Sequence, residues 1–126
     1  MEIQLESPEH HAVRSYTEHS ITVADETLQH SCIVCKESLH NNWPVQHITA
    51  LTLEDLELLM QSSPELIILG HTSTQRPSPA IASYLSTRRI GLECMSIGAA
   101  CRTFNILLAE KRTVVLGIIL EQSSPA

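Results

Sequence analysis

The sequence predicts an α/β fold, a sheet layered with helices, and two observations carry that prediction. Three short apolar runs, "PELIILG" ending at Gly70, "IGLECM" ending at Met95 and "TVVLGIIL" ending at Leu120, alternate with segments of helical character. Runs of this length suit core strands buried on both faces, and such strands need helices to cover them. The second observation is a β-like pattern from Val13 to about Val45, a strand-rich half that precedes the alternating one. Strand–helix–strand–helix–strand order implies one sheet, and the N-terminal strands either extend it or pack as an extra layer.

Each element has a local reason. "SITVADETL" reads as two strands joined at Asp25-Glu26 in the manner of a hairpin. Pro44 in "WPV" belongs at a strand edge or bend, because it cannot donate to a ladder. In "TLEDLELLMQSS", Thr52 is a good N-cap, with Asp55 three residues on as a partial capping box. Leu53, Leu56, Leu59 and Met60 form the apolar stripe of this helix, and Glu54 and Glu57 face water. Ser78 caps the next helix, with Pro79 at its first position, where the N–H would be unpaired anyway. Ser96 caps a longer helix in "SIGAACRTFNILLAEKR", whose Lys111 and Arg112 belong at the negative end of its dipole.

At 126 residues the chain fits a single domain, 1–126, and its 43% hydrophobic and 17% charged residues fit a folded, well-buried protein. The polar residues 1–12 and the last six, 121–126, are expected to be poorly ordered. A formal net charge of −6, with only 8 Lys and Arg spread along the chain, argues against nucleic acid as a partner. "MEIQLESPEHH" has neither the basic start nor the apolar run of a secretory signal, and no apolar run is long enough for membrane insertion. With four cysteines, the expectation is reduced thiols and a cytoplasmic location.

The stretch "HSCIVCKESLH" raises a metal or redox site, since Cys32, Cys35, His40 and the nearby His47 could make four ligands. In a strand, however, residues three apart point to opposite faces. Ile33 and Val34 favour the strand, the spacing to His40 and His47 matches no common zinc module, and no good helix follows to activate a thiol. Cys32 and Cys35 therefore read as small buried residues, with no metal and no cofactor expected. His10, His11 and His19 read as surface residues. Asp25 in a turn and Asp55 on a helix offer no paired carboxylates, and no nucleophile elbow or phosphate-cradling glycine loop is present.

Two places carry more chemistry. The loop "GHTSTQRPSP" leaves the C-terminal end of a core strand, where open α/β sheets bind ligands, and offers His71, Thr72, Ser73, Gln75 and Arg76. Its other reading is a solvated loop that starts a helix. In "AACRTFN", Ile97, Ala100, Cys101, Phe104, Leu107 and Leu108 share one helix face, so Cys101 reads as a core thiol before it reads as a nucleophile. Arg102 and Asn105 fall beside that stripe, and Arg102 could hold an anion, pair with Glu93 or face water.

"PELIILG", "QRPSP" and above all "AACRTFNILLAEKR" resemble a family of small, mostly uncharacterised bacterial and archaeal proteins. A eukaryotic relative of that family is a mitochondrial assembly factor for respiratory complex I, the NADH:ubiquinone oxidoreductase. "ITVADETLQHSCIVCKESLHNNWPV" looks like the family's strand–strand–Trp-Pro-Val segment, so the resemblance covers roughly residues 21–120. It implies a three-layer α/β fold with a mixed central sheet, helices and an extra N-terminal β-rich layer. Shared polar and special residues are Gly70, Gln75, Pro77, Ser78, Pro79, Cys101, Arg102, Thr103 and Asn105, with no catalytic role attached. His71 and Thr72 replace a Thr-Gly pair of the family pattern, Arg76 stands where it has phenylalanine, and Phe104 where it has tyrosine.

Two functions from different classes follow. The first is a non-catalytic binding or assembly module with a protein partner, subunits of a membrane respiratory complex, presenting an exposed apolar patch. The second is a binder of a small anionic molecule, or an enzyme acting on one. Its pocket would lie between loop 70–76 and the start of the last helix, with Arg76 and Arg102 gripping the anion and Cys101 as nucleophile. Gly70, His71, Thr72, Gln75, Arg76, Ser78, Cys101, Arg102, Thr103 and Asn105 are the candidate contacts.

Overall fold

In the computed structural model, which describes residues 11–121, the three apolar runs become neighbouring strands of one sheet. They are β6 (Leu66–Gly70), β7 (Gly91–Met95) and β8 (Val114–Ile118). With β4 (Cys32–Cys35) and β5 (Leu39–His40) they form a five-stranded sheet in the order β5-β4-β8-β6-β7. β6 is parallel to β7 and β8, while β4 is antiparallel to β5 and β8, so the sheet is mixed. The remaining N-terminal strands, β1 (Val13–Tyr16), β2 (Ile21–Val23) and β3 (Glu26–Leu28), make a separate antiparallel sheet. The N-terminal half thus does both things open to it: β4 and β5 extend the main sheet and β1–β3 pack as an extra layer.

Strand alternation sends side chains to two apolar layers. Cys32, Val34, Ile68, Leu116 and Ile118 meet the small sheet and α3 (Ile97–Ala109), where Phe104 is wholly buried. Ile33, Cys35, Ile67, Leu69 and Val115 meet α1 (Leu53–Met60), α2 (Pro79–Thr87) and the Trp43–Leu51 segment with its single 3-10 turn. The order of layers is therefore α3 with β1–β3, the mixed sheet, then α1 with α2. Cys32 and Cys35 face opposite layers, so they cannot share a metal ion without dismantling β4.

The caps form as their residues dictate. Thr52 and Asp55 complete a reciprocal capping box, and Ser78 and Ser96 accept from Ala80 and Ala99 at 3.3 Å each. Four local expectations need correction. The β2–β3 turn is Ala24-Asp25, one residue earlier than expected, because Val23 pairs with Glu26 and Ala24 takes the positive φ of 54° that a two-residue hairpin requires. Leu53 is 44% exposed: at the first turn it lies beyond the reach of the sheet, and Leu56 and Leu59 make the burial. Lys111 and Arg112 lie past the helix end, since Lys111 adopts φ 64° and ends α3, and Arg112 pairs instead with Glu65 at 2.8 Å. "IGLECM" is no core strand: β7 stands at the sheet's edge, with Gly91, Glu93 and Cys94 exposed.

The expectation for residues 1–10 and 122–126, His10 included, lies outside the described residues. His11 donates through Nδ1 to the Cys35 carbonyl at 2.8 Å, Ala12 packs against the core, and Glu121 bonds the His47 ring at 3.0 Å. Among the described residues no helix is long and apolar enough to cross a membrane.

Candidate functional site

Beyond the C-terminal ends of β6 and β7 the chain opens a groove of about 1020 Å³. One wall is the loop from His71 to Pro79 with the start of α2; the opposite wall is Leu92–Met95 and the first turn of α3. Tyr16, Thr17 and Glu18, at the end of β1, close one end. Two capped helix starts, at Ser78 and Ser96, therefore border the same space. At the start of α3 the Ile97 and Gly98 amides precede those held by Ser96, so their N–H groups are left for other acceptors.

His71 is the most constrained polar residue here, only 8% exposed. Its backbone N–H donates to the Met95 carbonyl at 3.1 Å, continuing the β6–β7 ladder one step. Its Nδ1 accepts the Ser73 N–H at 3.2 Å, so in the neutral ring the proton sits on Nε2. Burial pushes its pKa down, against the smaller upward pull of Glu121. Glu121 also takes the Thr72 hydroxyl at 3.3 Å, which ties the loop to the end of the chain's last strand. Ser73 Oγ accepts the Gln75 N–H at 3.0 Å, holding the turn that presents Arg76.

Arg76 lines the groove without an ion pair or hydrogen bond among the described residues. Its nearest electrostatic effect is on Cys94, whose thiol pKa is nonetheless raised, chiefly by burial and then by Glu93, with Arg76 opposing. Of the sequence candidates, the groove brings together His71, Thr72, Gln75, Arg76 and Ser78.

The others lie elsewhere. Gly70 is a packing residue: a Cβ there would come within 2.8 Å of Ala100 Cβ and 2.9 Å of Ile118 Cδ1, so its bare backbone lets α3 close on the sheet. Cys101 is buried against the central sheet, its thiol pushed up to about 12 by burial, with Arg102 drawing it down weakly. Arg102 turns to β1, donating through Nη1 to the Tyr16 hydroxyl, and Gly98 makes room for the Tyr16 ring beside it. Thr103 donates to Met95 Sδ at 3.6 Å. Asn105 clamps the strand backbone, accepting the Val13 N–H at 2.8 Å and donating to the Val13 carbonyl at 2.9 Å.

Tyr16, Glu18 and Cys94 are groove residues that sequence reasoning missed. Cys94 could have been found, since parallel pairing of β6 with β7 sets its end beside the His71 loop. Tyr16 and Glu18 carry no local signal, because β1 reaches the groove only through its packing on α3. No group of three or more potential metal ligands comes together among the described residues.

Comparison with known proteins places this geometry. Residues 13–119 match a family described as protein of unknown function (DUF498/DUF598). The chain belongs to that family. Among curated relatives, NADH dehydrogenase [ubiquinone] 1 alpha subcomplex assembly factor 3 of Xenopus tropicalis is 24% identical over 126 residues, 98% of this chain and 68% of that protein. The same-named protein of Danio rerio is 27% identical over 110 residues, 85% of this chain and 63% of that protein. The chain spans about two thirds of the length of these relatives. The solution structure of a Xanthomonas campestris protein superposes with a TM-score of 0.83 at 31% identity, covering 100% of this chain and 97% of that one. A Mth938-like domain from Bordetella pertussis, also solved in solution, gives 0.78 at 23% identity over 98% and 95%, a likeness of fold. Both curated relatives bear the name of an assembly factor, and the family description assigns no function.

Proposed function

We propose that the protein is a non-catalytic binding module in the cytoplasm that acts on subunits of a respiratory NADH:ubiquinone oxidoreductase during assembly. The similarity to two assembly factors over most of this chain carries the reading. The family-like residues support it, because they serve the fold. Cys101 lies in the core, Asn105 holds β1, Gly70 admits α3, and Thr103 bonds Met95. A thiol at about 12 is a poor nucleophile at neutral pH. The expected exposed apolar patch on one face is not found among the described residues: the exposed large apolar side chains Tyr16, Leu53 and Ile106 are divided between the two outer layers.

The test is co-purification of the tagged chain from its native host, detergent-solubilised membranes included, with the bound proteins identified by mass spectrometry. Subunits of the respiratory complex should return with the wild type. Arg76→Ala, which alters the groove without touching a packed residue, should return fewer. A wild-type sample that returns none of them defeats the assembly reading.

A second reading is favoured by His71 and Arg76: a Nε2–H donor on a buried ring, an unpaired guanidinium and the free amides of α3 suit a small anion. Arg102, engaged with Tyr16, has no part in it. Titration of inorganic phosphate and of succinate, followed by amide shifts at Ile97 and Gly98, distinguishes this reading. Saturable shifts that vanish in Arg76→Ala support it, and none at millimolar anion removes it.

A further inference from the structure

The open edge of the central sheet is β7. In a parallel ladder, alternate residues bond the same neighbour. The Gly91 N–H donates to the Glu65 carbonyl at 3.0 Å, and the Met95 carbonyl accepts the His71 N–H at 3.1 Å. Gly91, Glu93 and Met95 therefore face β6, and the N–H and C=O groups of Leu92 and Cys94 face outward. These four groups have no partner among the described residues. The other sheet edges are short or closed. β5 has two residues and β3 three, while the Val13 N–H and C=O of β1 are both taken by Asn105.

Four unpaired backbone groups on a five-residue strand form a template for another extended chain. Charge decides whose. A second copy could satisfy all four groups on both strands only by pairing antiparallel, Leu92 opposite Cys94 of the other copy. That register sets Glu93 directly opposite its own counterpart, at a Cα separation of about 4.5 Å. Like charges so placed are destabilising, and the net charge of −6 on each chain adds to the repulsion. A different protein with Lys or Arg at the central position meets Glu93 with the opposite charge.

The strand's two faces refine the partner's chemistry. Leu92 packs on the α1–α2 layer and Met95 on the α3 layer, so Leu92 and Cys94 share one face and Glu93 points to the other. Residues flanking the partner's cation would lie over half-buried Leu92 and beside Cys94, positions suited to β-branched side chains. We infer that β7 accepts an extended segment of a partner protein, centred on a basic residue opposite Glu93, as a sixth strand of the central sheet. This deepens the partner-binding reading and rests on it, giving the mode of docking rather than the partner's identity.

The test uses the isotope-labelled full chain and two capped peptides, Thr-Thr-Val-Lys-Val-Thr-Thr and the same sequence with Glu at the centre. The Lys peptide should shift the Leu92 and Cys94 amides and protect them from hydrogen exchange. It should bind about tenfold tighter than the Glu peptide, the effect of exchanging an attractive for a repulsive cross-strand pair. Glu93→Lys should invert that preference. Cys94→Pro, which removes an outward N–H and leaves the β6–β7 ladder its bonds, should abolish binding; should it not fold, the Glu93→Lys inversion decides. Equal binding of both peptides, or shifts that spare Leu92 and Cys94, would overturn the inference. So would a peptide-free dimer that protects those two amides. A positive titration alongside a failed co-purification would leave strand addition standing and remove the respiratory partner; the reverse result would remove the edge and keep the partner.

Discussion

At His71, burial and a single hydrogen bond set both charge and tautomer, and that choice has a pH signature. Because burial lowers its folded pKa below the ordinary 6.5, the unfolded chain takes up the proton first as pH falls. The stability present above about pH 6.5 should therefore be lost progressively as pH falls from the unfolded pKa toward the lower folded one. His71→Asn keeps an acceptor for the Ser73 N–H but cannot titrate, so its melting temperature should fall less than the wild type's between about pH 7.5 and 5.5. Equal slopes in calorimetry would mean that the ring is hydrated in the folded protein. The cysteines divide just as sharply. Cys94 is exposed, whereas Cys32 and Cys101 are buried with thiols pushed up to about 12. A disulfide-exchange reagent should consume Cys94 first, at a rate held below that of a free thiol by its raised pKa, a phase lost in Cys94→Ser, and reach Cys32 and Cys101 only at the rate of unfolding. The positions of Cys101 and the Cys32–Cys35 pair were legible in the sequence because helix and strand periodicity decide which way each residue faces. The role of Asn105 was not, since its partner Val13 lies 92 residues away.

Elements report their neighbours as well as their own residues. Thr52, Ser78 and Ser96 were readable as caps because capping is decided within three or four residues, and all three accept a backbone N–H. The fate of β7 was not readable. An apolar run predicts burial, but whether a strand is central or at the edge depends on strand order, which no local pattern encodes; here β8 takes the centre and β7 the rim. Sequence reasoning accordingly found the loop side of the groove, residues 71–78, and missed the wall supplied by β1 and β7. β1 itself is held to the body through side chains, Asn105 on the Val13 backbone and Arg102 on Tyr16. Removing the first clamp in Asn105→Ala leaves two half-buried backbone groups unpaired and should cost about 2 kcal/mol. The loss should appear in denaturant midpoints together with faster hydrogen exchange at the Val13 amide. Unchanged protection at Val13 would show that pairing with β2 suffices to hold the strand.

The central sheet makes the molecule's two apolar layers mechanically one. β6 sends Ile68 to the α3 side and Ile67 and Leu69 to the α1–α2 side, so no residue of that strand can loosen one layer without shifting the other. Glycine adds to the coupling: a Cβ on Gly117 would stand 2.8 Å from Leu69 Cδ2 and 3.1 Å from the Trp43 ring, leaving no slack between sheet and covering layer. Trp43, the single tryptophan, is buried in the α1–α2 layer, and its fluorescence reports that layer alone. Ile68→Val removes one methylene from the opposite layer, at a cost of about 1 kcal/mol. In a chain of this size that cost corresponds to a fall of about 4 °C in the melting temperature. If the layers unfold together, the Trp43 transition should fall by the same amount as the circular-dichroism transition, although Trp43 touches nothing that was changed. A Trp43 transition that stays in place while circular dichroism moves would show that the α3 side opens on its own. The groove, which takes its walls from both layers, would then be assembled from two independently moving parts, and a partner could bind by ordering one of them.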